Sequence, residues 1–250
     1  MRRQQAYDSK TRRGFLSVMA LALANGARAA DMSMHQQLFM LCVRKKAPAP
    51  ALPYDYEVEY IERDYAIAWS TSIYNDGFNL TQYIYGDSLA TFSRTIELVW
   101  SFSAVTSGVM RGLYFGTNAF THVALWKPNG YDTYKFGIPS SGQTSVSGDL
   151  GTFHKQSIVP DGSGHYDCYM DNTFFTTVTQ TSTAVMTLMY LFTRNNNSEG
   201  TGKVRVSSFK VGSDVDLIPV VKGNSVGFYN KVDGELFLEE QACLGAGPRV

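Results

Sequence analysis

Closely spaced acidic side chains are the residues in this sequence that offer the clearest catalytic chemistry. They occur in two segments: Glu57, Glu59 and Glu62, and Glu235, Glu239 and Glu240. Glycoside hydrolases need two carboxyl groups roughly 5–10 Å apart, one as proton donor and one as nucleophile or base. Residues i and i+2 of a strand face the same side, so Glu57 and Glu59 share a face and Glu62 falls on the other. We interpret both clusters as solvated strand faces and predict that the protein is not an enzyme.

Other reactive side chains are scattered rather than clustered. His122, His154 and His165 are far apart in the sequence, without the short spacings typical of metal sites, and no G-x-S-x-G nucleophile motif is present. Cys42, Cys168 and Cys243 form no C-x-x-C pair. Either a Cys168–Cys243 disulfide or buried thiols at these positions fit the sequence. We predict no catalytic residue and no metal held by cysteine.

Calcium is the one cofactor for which the sequence offers candidate ligands. Calcium binds carboxylate and carbonyl oxygens, which Asp- and Asn-rich loops supply. The candidates are Asp161, Asp167, Asp171, Asn195 and Asn197. No spacing among them demands a metal, and ordinary turns explain the same residues, so we predict no bound cofactor.

Aromatic residues flanked by polar turn residues are the best candidates for ligand binding. Rings of Trp and Tyr stack on sugar faces, while amides and hydroxyls orient the ligand. The candidate ligand-binding residues are Trp126, Tyr131 and Tyr134 around Asn129, and Trp69 with Tyr74. The alternative is that these rings are core or strand-packing residues.

Alternating apolar and polar residues predict that the body of the chain is all-β. The last fifty residues show this best, where Lys203–Val211, Asp214–Lys222 and Ser225–Leu238 are separated by turn residues such as Asp233-Gly234. Earlier strands are predicted at Tyr56–Glu62, Leu80–Tyr85 and Ser93–Ser103. Ala184–Thr193 is apolar almost throughout and predicts a central strand buried on both faces. No helix of useful length is predicted, and the spacing of strands and turns favours a sandwich or barrel.

The distribution of charge argues against nucleic-acid binding. Residues 1–29 contain six basic residues and one acid, so the rest of the chain holds 16 basic and 21 acidic residues, a net charge of about −5. A domain that binds phosphates should be basic in its folded part. Only 18% of residues are charged and 13% are aromatic, a composition better suited to saccharides or protein partners.

The N-terminal residues have the pattern of an export signal. Thr11–Ser17 (TRRGFLS) precedes a short apolar run and a small-residue site, so residues 1–30 are predicted to be a twin-arginine-like signal peptide, cleaved before Ala30 or Asp31. An ordinary secretory signal or an uncleaved N-terminal helix are the alternatives. The apolar run is too short to span a membrane. Residues 31–51 end in an Ala-Pro spacer, and the folded domain is predicted at residues 52–250.

Several of these segments together resemble the concanavalin A-like, laminin G-like jelly-roll domains of secreted bacterial and phage-tail proteins. The matching segments are Leu52-Pro53, Glu59–Glu62, Thr81–Ile84, Phe153-His154, Asp161-Gly162, Tyr169–Asn172, Leu191–Asn195 and the three C-terminal segments above. Two departures stand out: about seventeen extra residues at Arg63–Asn79, and Asn172 in place of a glycine, which asparagine can replace in a left-handed turn. The resemblance implies a two-sheet antiparallel β-sandwich.

Residues and resemblance together predict a non-catalytic recognition module outside the cytoplasm. Its expected ligand is a glycan or a cell-surface polymer, since the surface must rely on aromatic, hydroxyl and amide groups. The alternative is a structural or assembly protein of an envelope or phage-tail complex, with the sandwich forming an oligomer. A glycoside hydrolase is disfavoured because the sequence offers no convincing carboxylate pair.

Overall fold

The structure is a computed structural model that describes residues 51–67, 77–102, 110–117, 122–127, 133–138, 141–192 and 202–250. The predicted export signal at 1–30, residues 31–50 of the predicted linker and Cys42 lie outside these residues. Within the described residues, no helix is both long and apolar enough to cross a bilayer.

Most of the strands belong to one large antiparallel sheet. Among the described residues it has eleven strands: β1 (Tyr56–Glu57), β2 (Ile61–Asp64), β4 (Ile96–Phe102), β9 (His154–Pro160), β10 (His165–Met170), β11 (Thr173–Thr179), β13 (Lys203–Val211), β14 (Val215–Lys222), β15 (Ser225–Asn230), β16 (Leu236–Glu239) and β17 (Leu244–Ala246). The main order is β11-β10-β9-β4-β13-β14-β15-β16, with β1 beside β14, and β2 between β13 and β17. Strands distant in sequence are therefore neighbours in the sheet.

The second sheet is smaller and covers the inner face of the first. The part of the chain that the structure describes gives it six strands: β3 (Phe78–Asn79), β5 (Met110–Gly116), β6 (His122–Lys127), β7 (Thr133–Ile138), β8 (Ser141–Ser147) and β12 (Leu188–Leu191). They lie in the order β3-β12-β5-β6-β7-β8, and every pair is antiparallel. The fold is a two-sheet antiparallel β-sandwich of the jelly-roll type, as the sequence predicts.

Aromatic side chains join the two sheets through the core. The Trp100 ring on β4 lies 5.5 Å from the Tyr134 ring on β7, edge to face. The Phe115 ring on β5 lies 6.3 Å from the Tyr166 ring on β10, and Phe136 on β7 stacks 6.0 Å from Phe175 on β11. These contacts account for the high aromatic content of the chain, because large rings fill the space between two pleated surfaces.

Tight turns form where the sequence predicts them. Asp171 and Asn172, between β10 and β11, both have positive φ (49° and 67°), which confirms the left-handed conformation expected of Asn172. The three predicted C-terminal segments form β13, β14, β15 and β16, joined by turns that contain Gly212, Gly223 and Gly234.

Three predicted strands differ in the structure. Leu80–Tyr85 contains a 3₁₀ turn at Thr81–Tyr83, because the Asn79 side chain accepts a hydrogen bond from the Thr81 N–H and starts a turn. Of the predicted strand Ala184–Thr193, the described residues 184–192 form a strand at Leu188–Leu191 alone, since the Met186 N–H donates to the loop residue Asp87. A bend at Glu59 divides Tyr56–Glu62 into β1 and β2.

The proposed inserted loop at Arg63–Asn79 also needs correction, because it begins within β2 and ends with β3. Arg63 is fully buried, which the sequence did not indicate. Its guanidinium donates to the Phe192 carbonyl and lies 4.3 Å from the centre of the Tyr65 ring. The side chain thereby ties the larger sheet to the end of β12, with its charge hydrogen-bonded and stacked rather than solvated.

Candidate functional site

A groove of about 400 Å³ opens on the outer face of the larger sheet. It lies where β13 and β14 separate and the opening segment of the domain enters between them. The first half of β13 pairs with β2, the second half pairs with β14, and β1 pairs with the far end of β14. The β13–β4 register shifts between Val206 and Ser208, which marks a bulge where the groove forms. The groove is lined by Glu57, Val58, Glu59, Phe153, Ser207, Ile218, Pro219 and Val250.

Two carboxylates stand at this groove, both exposed. Glu57 and Glu59 line it together, as expected of residues i and i+2 on one strand face. The Tyr54 hydroxyl donates to Glu57 Oε1 at 2.8 Å. Burial, together with the negative charge of Glu57, raises the pKa of Tyr54 to about 12. The phenol therefore stays protonated at neutral pH and fixes the orientation of Glu57, while Glu59 faces solvent.

An aromatic wall borders the carboxylates. Phe153 lines the groove, and its ring centre lies 5.7 Å from that of Tyr60. The Arg205 guanidinium lies 5.0 Å from the centre of the Tyr60 ring and donates through Nε to Glu62 at 2.8 Å. The wall is thus held in place by a cation–π contact and an ion pair rather than by ring packing alone.

A buried hydroxyl lies beneath this wall. Ser101 faces outward between the inward-facing Trp100 and Phe102, and it is the register partner of Arg205. Its Oγ is buried and has no hydrogen-bond partner among the described residues. A buried hydroxyl without a partner costs free energy of folding. The Ser101 hydroxyl is therefore a buried polar group on this side of the sheet that could still form a hydrogen bond.

The charge facing the groove is negative. Arg249 forms a bridge with Val58, so strand pairing places it on the face opposite Glu57 and Glu59. Its guanidinium lies 4.9 Å from the centre of the Tyr56 ring, on that opposite face. Arg205 is paired with Glu62. Among the described residues, the groove lining contains these two carboxylates and no basic side chain.

Glu62 links β2 to β13 and gives a prediction for acid stability. Burial opposes ionisation, but hydrogen bonds from Lys203 and Arg205 outweigh it and hold the pKa of Glu62 below its ordinary value. A lowered pKa stabilises the fold above the unfolded-state pKa, and that stability is lost as pH falls. Glu62→Gln should therefore lower the melting temperature at pH 7, and the difference should be smaller at pH ~3, below the ordinary pKa of a glutamate.

Thermal unfolding of wild type and Glu62→Gln at both pH values measures this effect. Glu240→Gln is the matched control, because Glu240 is exposed and lies outside this ion-pair cluster. A Glu62→Gln deficit of equal size at pH 7 and pH ~3 would show that ionisation of Glu62 is not its cause.

Tyr134 is the aromatic candidate from the sequence whose side chain lies among the described ones, and it does not line this groove. Tyr134 is fully buried against Trp100 and Phe102, and burial raises its pKa. It is a core ring, so the predicted ligand-stacking role of Tyr134 is wrong: its faces are covered by other side chains. Trp126 occupies β6 as the register partner of Lys135. Trp69, Tyr74, Asn129 and Tyr131 lie outside the described residues.

Two of the calcium candidates, Asp161 and Asp171, lie in turns, while Asp167 lies on β10. Asp161 accepts hydrogen bonds from the Ser163 N–H, the Ser163 hydroxyl and the His165 N–H, which hold its pKa below its ordinary value. Its oxygens thus cap a turn. Asp171 accepts from His154 Nδ1 at 2.7 Å and from the Lys155 N–H. In the described part of the chain no three metal-ligating side chains cluster, while Asn195 and Asn197 lie outside it.

The second acidic cluster also has a structural role. Glu235 accepts hydrogen bonds from Tyr83 at 2.9 Å and from Gln82 at 3.2 Å, and Tyr83 also donates to Asp233 at 2.7 Å. These contacts tie the 3₁₀ turn to the β15–β16 turn.

The sequence allows either a disulfide or two buried thiols at Cys168 and Cys243. In the structure both thiols are buried and no disulfide joins them.

Sequence reasoning missed the groove as a site, although it singled out two of its residues. The sequence predicts that Glu57 and Glu59 share a face. Phe153 and Ser207, however, lie far from this pair in the sequence. Only the strand order β9-β4-β13-β14 brings them together. The sequence signal that was available was a Glu-x-Glu pair beside the aromatic Tyr60.

No protein-family profile and no curated protein matches the chain. Among solved structures, an alginate lyase from Corynebacterium sp. is similar with 16% identity and a TM-score of 0.40, over 50% of this chain and 60% of that one. A Trypanosoma rangeli sialidase in complex with sialic acid is similar with 11% identity and a TM-score of 0.41, over 50% of this chain and 21% of that one.

A third similar structure is the Ruminococcus gnavus IT-sialidase CBM40 bound to α2,3-sialyllactose. It shows 11% identity and a TM-score of 0.37, over 52% of this chain and 83% of that one. The chain therefore spans less than two thirds of the lyase and about a fifth of the sialidase. Each similarity covers only about half of this chain, and the assignment of the fold rests on the order of the two sheets.

Proposed function

We propose that this protein is a non-catalytic recognition module that binds a glycan or a cell-surface polymer in the groove on the outer face of the larger sheet. The observation that supports this is the combination of two exposed carboxylates with an aromatic wall around about 400 Å³ of open space. That volume lies within the range of small-ligand sites. Carboxylates accept hydrogen bonds from sugar hydroxyls, and aromatic rings cover the apolar face of a sugar.

The charge of the groove favours neutral or amine-bearing ligands over acidic ones. An acidic sugar would bring its carboxylate toward Glu57 and Glu59, and like charges at short distance repel. An amino sugar would instead form charge-assisted hydrogen bonds with the same groups. The preferred ligand class is therefore a polymer of neutral or amino sugars.

A hydrolytic role is less well supported. A glycoside hydrolase keeps one carboxyl group protonated, which requires burial away from water. Glu57 and Glu59 are both exposed, and Glu57 already accepts a hydrogen bond from Tyr54. Two such groups two residues apart in one segment can bind a sugar from one side but do not flank a glycosidic bond.

A glycan array probed with the full chain tests the proposal. We expect binding to neutral or amino-sugar polymers, weakened about tenfold or more by Phe153→Ala and by Glu59→Gln, because each loss costs about 1.4 kcal/mol or more. Val159→Ala is the matched control, since Val159 is partly exposed on the same sheet but away from the groove. Melting temperatures of all variants separate lost binding from lost folding.

Three outcomes would contradict this function. If the protein bound no glycan on the array, the proposal that its ligand is a glycan would be wrong. Binding that survives both groove variants would place the site elsewhere. Release of reducing ends from a bound polymer would make the protein an enzyme, and the Glu59→Gln variant would then show whether this carboxylate takes part.

The proposal includes export from the cytoplasm, supported by the Arg12-Arg13 pair and the following apolar run. N-terminal sequencing of the protein from a fractionated native host tests it. We expect an N-terminus at Ala30 or Asp31 in the extracytoplasmic fraction. An intact Met1 in the cytoplasmic fraction would contradict export.

A further inference from the structure

The polar side chains that line the groove are mainly hydrogen-bond acceptors. Glu57 and Glu59 contribute carboxylates, which accept hydrogen bonds and donate none, and Ser207 contributes a hydroxyl, which can do both. The other lining residues are apolar: Val58, Phe153, Ile218, Pro219 and Val250. The groove therefore suits a ligand group that is rich in hydrogen-bond donors.

The two carboxylates can reach one ligand group together. Their Cα atoms are at most about 7 Å apart, because two residues of extended chain span no more than that. The Tyr54 hydroxyl donates to Glu57 Oε1 and fixes its orientation. A carboxylate has about four acceptor sites, so this single hydrogen bond leaves Glu57 able to accept others. Glu59, which is exposed, can close on the same group from two residues further along.

A bulge on β13 supplies the third acceptor. In the pairing of β13 with β4, Val206 lies opposite Trp100 and Ser208 lies opposite Val99, so Ser207 is passed over. Ser207 has no register partner on β2 or β14 either. A bulge redirects the side chain of its extra residue and is common beside functional sites. The Ser207 hydroxyl thus enters the groove from a strand other than the one that carries the two carboxylates.

This inference rests on the proposed function. Given that the groove binds a glycan, we propose that the glycan carries free amino groups, as a polymer of glucosamine does. An ammonium group has three N–H donors and no acceptor, which matches the oxygens of Glu57, Glu59 and Ser207. Hydrogen bonds between ammonium and carboxylate groups are roughly twice as strong as neutral ones. The Phe153 ring covers the apolar face of the sugar that bears the amine.

Other sugars use these acceptors less fully. A sugar hydroxyl offers one donor and no charge, so it forms one neutral-donor hydrogen bond where the ammonium forms up to three. An N-acetyl group leaves a single N–H and adds a carbonyl acceptor, for which the lining side chains offer only the Ser207 hydroxyl as donor. The free amine is therefore the substituent that the groove distinguishes best.

Calorimetric titration of the full chain with three hexasaccharides of the same linkage tests this inference. The three ligands are oligomers of glucosamine, N-acetylglucosamine and glucose, at a pH where the amine is protonated. We expect the glucosamine oligomer to bind at least tenfold more tightly than either of the others. The advantage should shrink as salt is added, because salt screens charges near the surface.

Substitutions separate the groove from general attraction of a cation. Glu57→Gln and Glu59→Gln should each bring the affinity for the glucosamine oligomer close to that for the glucose oligomer. Glu240→Gln is the matched control, since it removes the same charge from an exposed residue that does not line the groove. If Glu240→Gln reduced the preference as much, the net negative charge of the chain would explain the binding, and the inference would be overturned.

The remaining outcomes distinguish this inference from the proposed function. Equal affinities for the three oligomers, all weakened by Phe153→Ala, would overturn the amine preference and leave glycan recognition in the groove intact. Binding of spermine, a polyamine without sugar rings, as tightly as the glucosamine oligomer would show that the sugar is not recognised. If none of the three oligomers bound, the glycan array would decide whether the proposed function fails as well.

Discussion

Trp100→Ala should destabilise the protein by about 3–5 kcal/mol, the largest effect we expect of a single core truncation. Trp100 is fully buried on β4, between the two sheets, with ring centres of Phe102 and Tyr134 at 4.5 and 5.5 Å. The facing backbone cannot fill the cavity, because Gly112 is the residue that lies against the indole. Thermal unfolding should show a melting temperature lower by roughly 10 °C.

A pair of smaller substitutions separates the ring from its hydrogen bond. Trp100 Nε1 donates to Gln156 Oε1 at 2.7 Å, and Gln156 Nε2 is buried without a partner among the described residues. Trp100→Phe should leave the Gln156 amide with no partner on either atom, and Gln156→Leu should leave the indole N–H unpaired. The double variant should be more stable than the sum of the single effects, by about 1–2 kcal/mol. Strict additivity would show that this hydrogen bond does not contribute.

Gly227→Ala should destabilise the closing hairpin by about 3 kcal/mol. Gly227 lies on β15 opposite Leu238 of β16, and a Cβ at this position would stand 1.8 Å from the Phe237 carbonyl oxygen. The obstacle is backbone rather than a movable side chain, so the two strands must separate to admit a methyl group. Chemical unfolding should show the lower stability, and exchange of β16 amides should become faster.

Gly245→Ala is the matched control for this substitution. Gly245 also lies on a strand of the larger sheet, but a Cβ there would meet nothing within 4 Å. We expect that variant to unfold like wild type. Equal stability of both variants and wild type would mean that β16 is not held against β15 as described.

The sequence predicted this fold where local patterns act alone. The hairpins from Lys203 to Glu239 follow from alternation and turn residues, and Asn172 takes the left-handed conformation expected of it. The predictions were wrong where a side chain or a distant backbone group decides the conformation. Leu80–Tyr85 alternates like a strand, yet the Asn79 amide begins a 3₁₀ turn there.

The candidate site was less accessible to sequence reasoning. The sequence alone does not show that the Tyr134 ring is buried rather than exposed. Its burial depends on the rings of Trp100 on β4 and His154 on β9 that lie against it. The groove depends on residues from β1, β13 and β14 and on Phe153, which precedes β9, and these lie far apart in the chain. Periodicity shows which face of a strand is polar, but it does not show which other strand lies beside it.

The position of the opening segment has a consequence for synthesis of the protein. Residues 57–63 pair on one side with β13 and β14 and on the other with residues 244–250. Residues 57–63 leave the ribosome long before residues 244–250, so their backbone groups stay unsatisfied until the later segment has emerged. Contacts this distant make folding slow, and the nascent chain carries unpaired strands through most of translation. A holding chaperone that shields those strands until residue 250 has emerged would raise the yield of folded protein.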